Sequence, residues 1–286
     1  TEYTIVCLSE EHFYLSSAGA WTEYDSDYLH KSLADSKFDS VNIYDCTSQW
    51  GVFSIAGPNS RSFLKKIVVR EDPEKTLSNK EFPWLSYRDI EIGMCPVRAL
   101  RVAYTGELGW ELHHPIEMQN YLLDILLSSG KEFNLKLVGA RAQNWLRQEK
   151  SYKAFGSDLG RDAGPFESKL SRFVDINKNF LGKDALLKRK TDVSCVTLLI
   201  DGPKDIDPWG REALYNETEE VMLGRLTSAG YSVHFKRSIG IGYVKSSFSE
   251  VGTKLRIKID DAFWNAEIVR DSPYDPENEK IIDRAQ

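Results

Sequence analysis

Around residue 190 the hydrophobic pattern of this chain changes. Before it, strand-like and helix-like segments alternate. After it, SCVTLLID, EEVMLGRLTSAG, SIGIGYVK, TKLRIKID and FWNAEIVR follow at fairly even spacing, with glycines between them and no convincing helix. Evenly spaced short strands close into small barrels or sandwiches, whereas a mixed run builds layers of helix and sheet. The pattern predicts an α+β domain over residues 1–190 and a smaller all-β domain over residues 191–286. With 286 residues and 41% hydrophobic side chains, the chain can bury cores for both.

Within the first domain, YTIVCL and FYLS flank the polar group Ser9-Glu10-Glu11-His12, which predicts a hairpin. DSDYLHKSLADS has helical spacing, with Asp25 and Asp27 where carboxylates suit a helix N-terminus. The stretch VNIYDCTSQWGVFSIAGP alternates in strand fashion up to Gly57-Pro58, after which Asn59 or Ser60 can cap the helix SRSFLKKIV. A second round follows: strand-like IEIGMCPVRALRVAY, a glycine corner, strand-like WELHHP and the helix IEMQNYLLDILLSSGKEF ending near Gly130. Another helix, ARAQNWLRQEKSYKA, is predicted from Gly139 towards Phe155-Gly156.

Charge and cysteine usage narrow the partners. Lys and Arg number 37 against 43 Asp and Glu, and a net charge of -6 offers no basic surplus for nucleic acid or an anionic membrane. Cys7, Cys46, Cys95 and Cys195 are far apart and form no CxxC pair, so neither a disulfide framework nor a zinc site is expected. A reducing compartment, cytoplasm or mitochondrial matrix, is the expectation. No apolar run has the length of a membrane span.

Two segments carry candidate chemistry. In RVAYTGELGWE, Gly106 and Gly109 permit positive φ or a close approach to a ligand, while Tyr104 and Glu111 end two strands that could face one cavity. A carboxylate there suits a ligand presenting two adjacent N–H donors. By spacing alone the same corner also reads as a glycine-rich hairpin turn with exposed glutamates. In VGARAQNWLRQEK, Arg141 and Arg147 flank a helix start that could seat an anion, although Arg147, Glu149 and Lys150 read first as a solvated helix face. His113 and His114 are neighbours on a strand, point to opposite faces and cannot share a metal. SIGIGYV has Gly240 and Gly242 but Lys245 where a dinucleotide fingerprint needs its third glycine. Trp50, Trp110, Trp145 and Trp264 are read as core or pocket walls.

Taken in order, YTGELGWE, GARAQNWLRQEKSYKAFGSDL, PFESKLSRFV, FLGKDALL and GRLTSAGYS with SIGIGYV resemble the folate-binding aminomethyltransferase family typified by the glycine-cleavage T-protein. DCTSQWGVFSIAGPNSRSFL, GELGWELH and the ending SPYDP look more like the C-terminal half of dimethylglycine and sarcosine dehydrogenases. The resemblance covers nearly the whole chain. It implies α+β subdomains with a C-terminal antiparallel β-barrel around a tetrahydrofolate site. It also implies that Tyr104 and Glu111 hold the pterin and that Arg141 is a folate partner, with Trp110 and Phe155 as secondary wall candidates.

There are departures from the family pattern. Glu2 stands just before the first strand, where the family has its catalytic aspartate; it is the candidate catalytic residue. Ala142 replaces the aspartate of the family's GARD motif, and the asparagine expected on the second strand is lost at the Ala18–Trp21 turn. The family's leading segment and the flavin domain of the dehydrogenases are not in this sequence. FAD is therefore expected only in an upstream domain or a partner, and the other partners expected are folate and a methylamine-derived one-carbon unit. The resemblance implies formation of 5,10-methylenetetrahydrofolate. The alternatives are a non-catalytic folate-binding or docking module and a glycine-cleavage-type aminomethyltransferase.

Overall fold

The computed structural model describes residues 2–38, 40–202 and 206–283. The elements, in chain order, are β1 (Tyr3–Ser9), β2 (His12–Ser17), α1 (Thr22–Ala34), β3 (Trp50–Ala56), α2 (Ser60–Ile67), β4 (Val68–Val69), α3 (Pro73–Thr76), β5 (Tyr87–Ile92), β6 (Cys95–Leu100), β7 (Gly109–Pro115), α4 (Gln119–Ser129), α5 (Ala140–Glu149) and α6 (Lys183–Lys188). Then come β8 (Val193–Ile200), β9 (Ala213–Tyr215), β10 (Met222–Ser232), β11 (Arg237–Lys245), β12 (Lys254–Ile259), β13 (Ala262–Val269) and α7 (Glu279–Ile282). Packing divides them into two compact units. The first is Thr1–Ala103, Glu107–Leu137 and Asn278–Gln286; the second is Tyr104–Gly106 and Val138–Glu277. The change of pattern near residue 190 lies within the second.

In the first unit an antiparallel sheet runs β3-β7-β6-β5-β4, and β1 and β2 form the expected hairpin. Strand alternation sorts β7 by face. Trp110 and Leu112 join Phe63, Leu64 and Ile67 of α2 and Leu122 and Leu126 of α4 in one hydrophobic core. Glu111 and His113 take the other face, where Glu111 pairs with Ser54 of β3 and Leu100 of β6, and His113 with Val52 and Arg98.

The second unit contains a closed antiparallel barrel of order β10-β11-β8-β13-β12-β9, as the family resemblance implies, where the strand pattern left barrel and sandwich open; β9 is a strand that the pattern did not single out. Its interior is aliphatic, with Val196, Leu198, Leu226, Ile257 and Ile268 fully buried. Gly240 and Gly242 lie within β11, not at a strand-to-helix turn. A Cβ at Gly242 would sit 2.5 Å from the Arg225 carbonyl oxygen, so these glycines serve strand packing.

Several expectations are corrected. Only Trp50–Ala56 of the stretch 41–58 is strand. Asn59 occupies the N-cap of α2 without a side-chain cap; Ser60 Oγ instead donates to the carbonyls of Gly57 at 2.6 Å and Leu108 at 3.0 Å. Helix α5 stops at Glu149, short of Phe155, and Ser151 turns the chain at φ 54°. The solvated face read into α5 is overturned: Arg147, Gln148, Glu149 and Lys150 are all buried. Their partners are distant in sequence. Ser232 Oγ donates to Glu149 at 2.5 Å, and Lys150 Nζ donates to the Asp275 carbonyl at 2.6 Å.

Candidate functional site

The corner between β6 and β7 is built on glycine geometry. Gly106 has φ +77°, a conformation costly for a residue with a Cβ. Gly109 lies so close to β3 that a Cβ there would meet the Ile55 carbonyl oxygen at 2.6 Å. The chain then enters β7 with Trp110 turned into the core and Glu111 away from it.

Glu111 remains about one-third exposed, at 31% of its side-chain area, whereas His113 two residues on is buried at 1%. Their separation of two residues on a strand puts them on the same face. His113 Nε2 lies 3.2 Å from Glu111 Oε2, and Tyr14 Oη on β2 lies 2.9 Å from His113 Nδ1. A phenol that donates to Nδ1 leaves the proton of a neutral imidazole on Nε2, directed at the carboxylate. Burial raises the pKa of Tyr14, with Cys46 and Glu111 adding to the rise and Arg98 opposing it, so the phenol keeps its proton. The Arg98 guanidinium lies 5.3 Å from the Tyr14 ring centroid and 5.5 Å from that of Trp50, and its Nε donates to Asp89 at 3.1 Å. Hairpin and sheet thus hold Tyr14 in place.

Other predicted residues have different settings. Glu2 is exposed immediately before β1, in the same unit as Glu111 but on a separate element. Tyr104 belongs to the second unit, where it stacks on Tyr152 with centroids 6.1 Å apart and donates to the Lys153 carbonyl at 3.3 Å. Arg141, in the first turn of α5, is ion-paired with Asp207 and lies 5.4 Å from the Trp145 ring and 5.0 Å from that of Trp209. An arginine between two indoles is a platform for an anion or a flat ring. Phe155 is half-buried in the loop after α5.

Of the two readings of Trp110, core or pocket wall, the structure bears out core: it is fully buried in the first unit, packed against Phe82 with Arg61 at 5.5 Å and Arg101 at 5.8 Å from its ring.

Tyr14 and His113 were not among the predicted site residues. The signal for His113 was present, because the alternation that separates it from His114 also aligns it with Glu111. No local signal marked Tyr14, whose contact spans 99 residues of sequence. Among the described residues no group of three or more His, Cys, Asp or Glu side chains is placed to hold a metal ion, and no helix is long and apolar enough to cross a membrane.

Comparison with known proteins agrees with this architecture. The family model of the GCVT N-terminal domain matches residues 1–178, and that of the glycine cleavage T-protein C-terminal barrel domain matches residues 194–275. Mitochondrial dimethylglycine dehydrogenase of Mus musculus is 32% identical over 277 residues, covering 94% of this chain but 31% of that protein. The chain thus spans about a third of the dehydrogenases it matches. An aminomethyltransferase of Caldanaerobacter subterraneus subsp. tengcongensis is 27% identical over 267 residues, covering 93% of this chain and 69% of that protein. The crystal structure of glycine cleavage system aminomethyltransferase T from Bartonella henselae superposes with a TM-score of 0.78 at 19% identity, covering 96% of this chain and 72% of that one; it shares the fold. Both family domains in sequence order, on an α+β sheet unit followed by a closed six-stranded barrel, place the chain in the glycine cleavage T-protein family, as an aminomethyltransferase-type domain related to dimethylglycine and sarcosine dehydrogenases.

Proposed function

We propose that this chain is the tetrahydrofolate-binding one-carbon transfer domain of an amine-demethylating flavoprotein of the dimethylglycine or sarcosine dehydrogenase kind. The observation that carries the reading is the Glu111 carboxylate, partly exposed on a sheet face and held from behind by a buried imidazole. An ionised carboxylate accepts from two adjacent N–H groups at once, as the amino and ring N–H of a pterin present. Tyr104 contributes an aromatic face and Arg141 a cation for the folate carboxylates. When bound, tetrahydrofolate would supply the two nitrogens that take up the carbon of an iminium as 5,10-methylenetetrahydrofolate, their two N–H protons leaving with the amine as its ammonium ion.

The chain's own part is to bind, orient and stabilise charge. Glu111 and Tyr104 position the pterin, and Glu2 is the acid-base or electrostatic group beside the transferred carbon. The flavin belongs to another domain or subunit, and the proposed compartment is cytoplasm or mitochondrial matrix.

Anaerobic calorimetry of tetrahydrofolate against this chain and its Glu111→Ala variant tests the binding role. Loss of binding in a variant that folds as wild type is expected; equal affinity would remove Glu111 from the site. Glu2→Ala is expected to slow methylenetetrahydrofolate formation from formaldehyde while leaving affinity unchanged. If affinity falls and the rate at saturation does not, Glu2 is a binding residue instead.

A further inference from the structure

His113 is almost wholly enclosed, yet both of its ring nitrogens have polar partners, Tyr14 Oη at 2.9 Å and Glu111 Oε2 at 3.2 Å. We propose that His113, with Tyr14 behind it, is the positioning residue of Glu111: it fixes the carboxylate in one orientation, turned towards incoming N–H donors. The proposal rests on the reading of Glu111 as the ligand-binding carboxylate.

The chain of donors has one consistent direction. Tyr14 donates to Nδ1, Nε2–H donates to Oε2, and the negative charge ends the relay at Glu111. Each carboxylate oxygen accepts two hydrogen bonds, so the bond from His113 uses one site and leaves Oε1 and the second lone pair of Oε2 for a ligand. A partly exposed glutamate without such a partner would sample several rotamers, and a ligand would have to immobilise it.

Tyr14 is itself fixed. Its ring meets His113 edge-on, at 5.4 Å and 87°, and the Arg98 guanidinium lies over its face. The orientation of a carboxylate on β7 therefore depends on the β1-β2 hairpin.

The test uses this chain with His113→Phe, His113→Gln and Tyr14→Phe, read by tetrahydrofolate calorimetry, by ¹⁵N NMR of the His113 ring in wild type and Tyr14→Phe, and by thermal unfolding. His113→Phe is expected to weaken binding about tenfold, the scale of one hydrogen bond to a charged group. Glutamine places its amide N–H near the Nε2 position, so His113→Gln is expected within about threefold of wild type. The wild-type ring is expected as the neutral Nε2–H tautomer. Tyr14→Phe keeps the aromatic packing and loses only the hydroxyl; it is expected to weaken that tautomer bias, and it serves if His113→Phe does not fold. A folded Phe variant that binds like wild type, or an Nδ1–H ring in wild type, overturns the proposal. If wild type binds no tetrahydrofolate, the reading of Glu111 fails by itself. The tautomer then decides whether His113 holds the carboxylate, with Nε2–H sustaining the proposal and Nδ1–H overturning it.

Discussion

Arg147 of α5 and Asp158 form an ion pair in which neither side chain reaches solvent, their side-chain exposures being 2% and 0%. The pair is fully supplied with hydrogen bonds. Arg147 also donates to the Tyr152 carbonyl at 2.8 Å, to Asn144 Oδ1 at 3.0 Å and to Ser228 Oγ at 2.7 Å. Asp158 accepts from Thr227 and Ser228 at 2.6 Å each and from the Ala154 amide at 3.0 Å. The two serve to join α5 and the loop after it to barrel strand β10.

Removing one member strands the other in a dry environment. Arg147→Ala is expected to cost about 3–5 kcal/mol of stability, read from urea unfolding. Replacing both partners with apolar residues of similar volume should cost less than the single change. A loss below about 1 kcal/mol, the scale of an exposed pair, would mean that water reaches the site.

Burial pushes the Cys195 thiol up to about 12 from its ordinary value of 9.0 and also raises Cys95 and Tyr243. A group with a raised folded pKa contributes stability that is fully present below its unfolded pKa. That contribution is lost as pH climbs from about 9 towards 12, because the unfolded chain ionises first. Stability should therefore decline across that window by up to about 1.4 kcal/mol per pH unit from Cys195 alone. Cys195→Ala should flatten the slope. In the same folded protein at neutral pH, a thiol reagent should modify exposed Cys7 well before Cys95 or Cys195.

The glycine corner should tolerate no Cβ. Gly109→Ala brings a methyl group to 2.6 Å from the Ile55 carbonyl oxygen and 2.9 Å from Ala103 Cβ, and about 1–3 kcal/mol of destabilisation is expected. Gly106→Ala adds a positive φ to a clash with the Lys150 side chain. Thermal unfolding of both variants checks this; wild-type midpoints would show that the corner has room.

If Arg141 binds the folate carboxylates, Asp207 competes with them for the same guanidinium. Asp207→Asn is then expected to tighten tetrahydrofolate binding by up to about fivefold, the worth of an exposed ion pair. Weaker binding in calorimetry would give Asp207 a supporting role instead.

Much of the fold follows from local pattern. β-rich arms around a polar link marked the β1-β2 hairpin, strand-like runs marked β7 and the barrel strands other than β9, and the turn at Gly57-Pro58 marked the start of α2. The pattern misled where burial is polar. In α5 a run of charged residues reads as solvated, since nothing local announces that Asp158, Ser232 and Asp275 will meet it.

The same division runs through the candidate site. The sequence by itself determined the glycine corner, the facing of Glu111 away from Trp110 and the family, and through the family the barrel, because periodicity, φ freedom and motif order are properties of neighbouring residues. Only the tertiary structure decided that Trp110 is core, that the charges of α5 are buried, and that Tyr14 lies behind His113 and Glu111. Those contacts join residues 11 to 125 positions apart, and such partners become visible only when the strands and helices that carry them have packed.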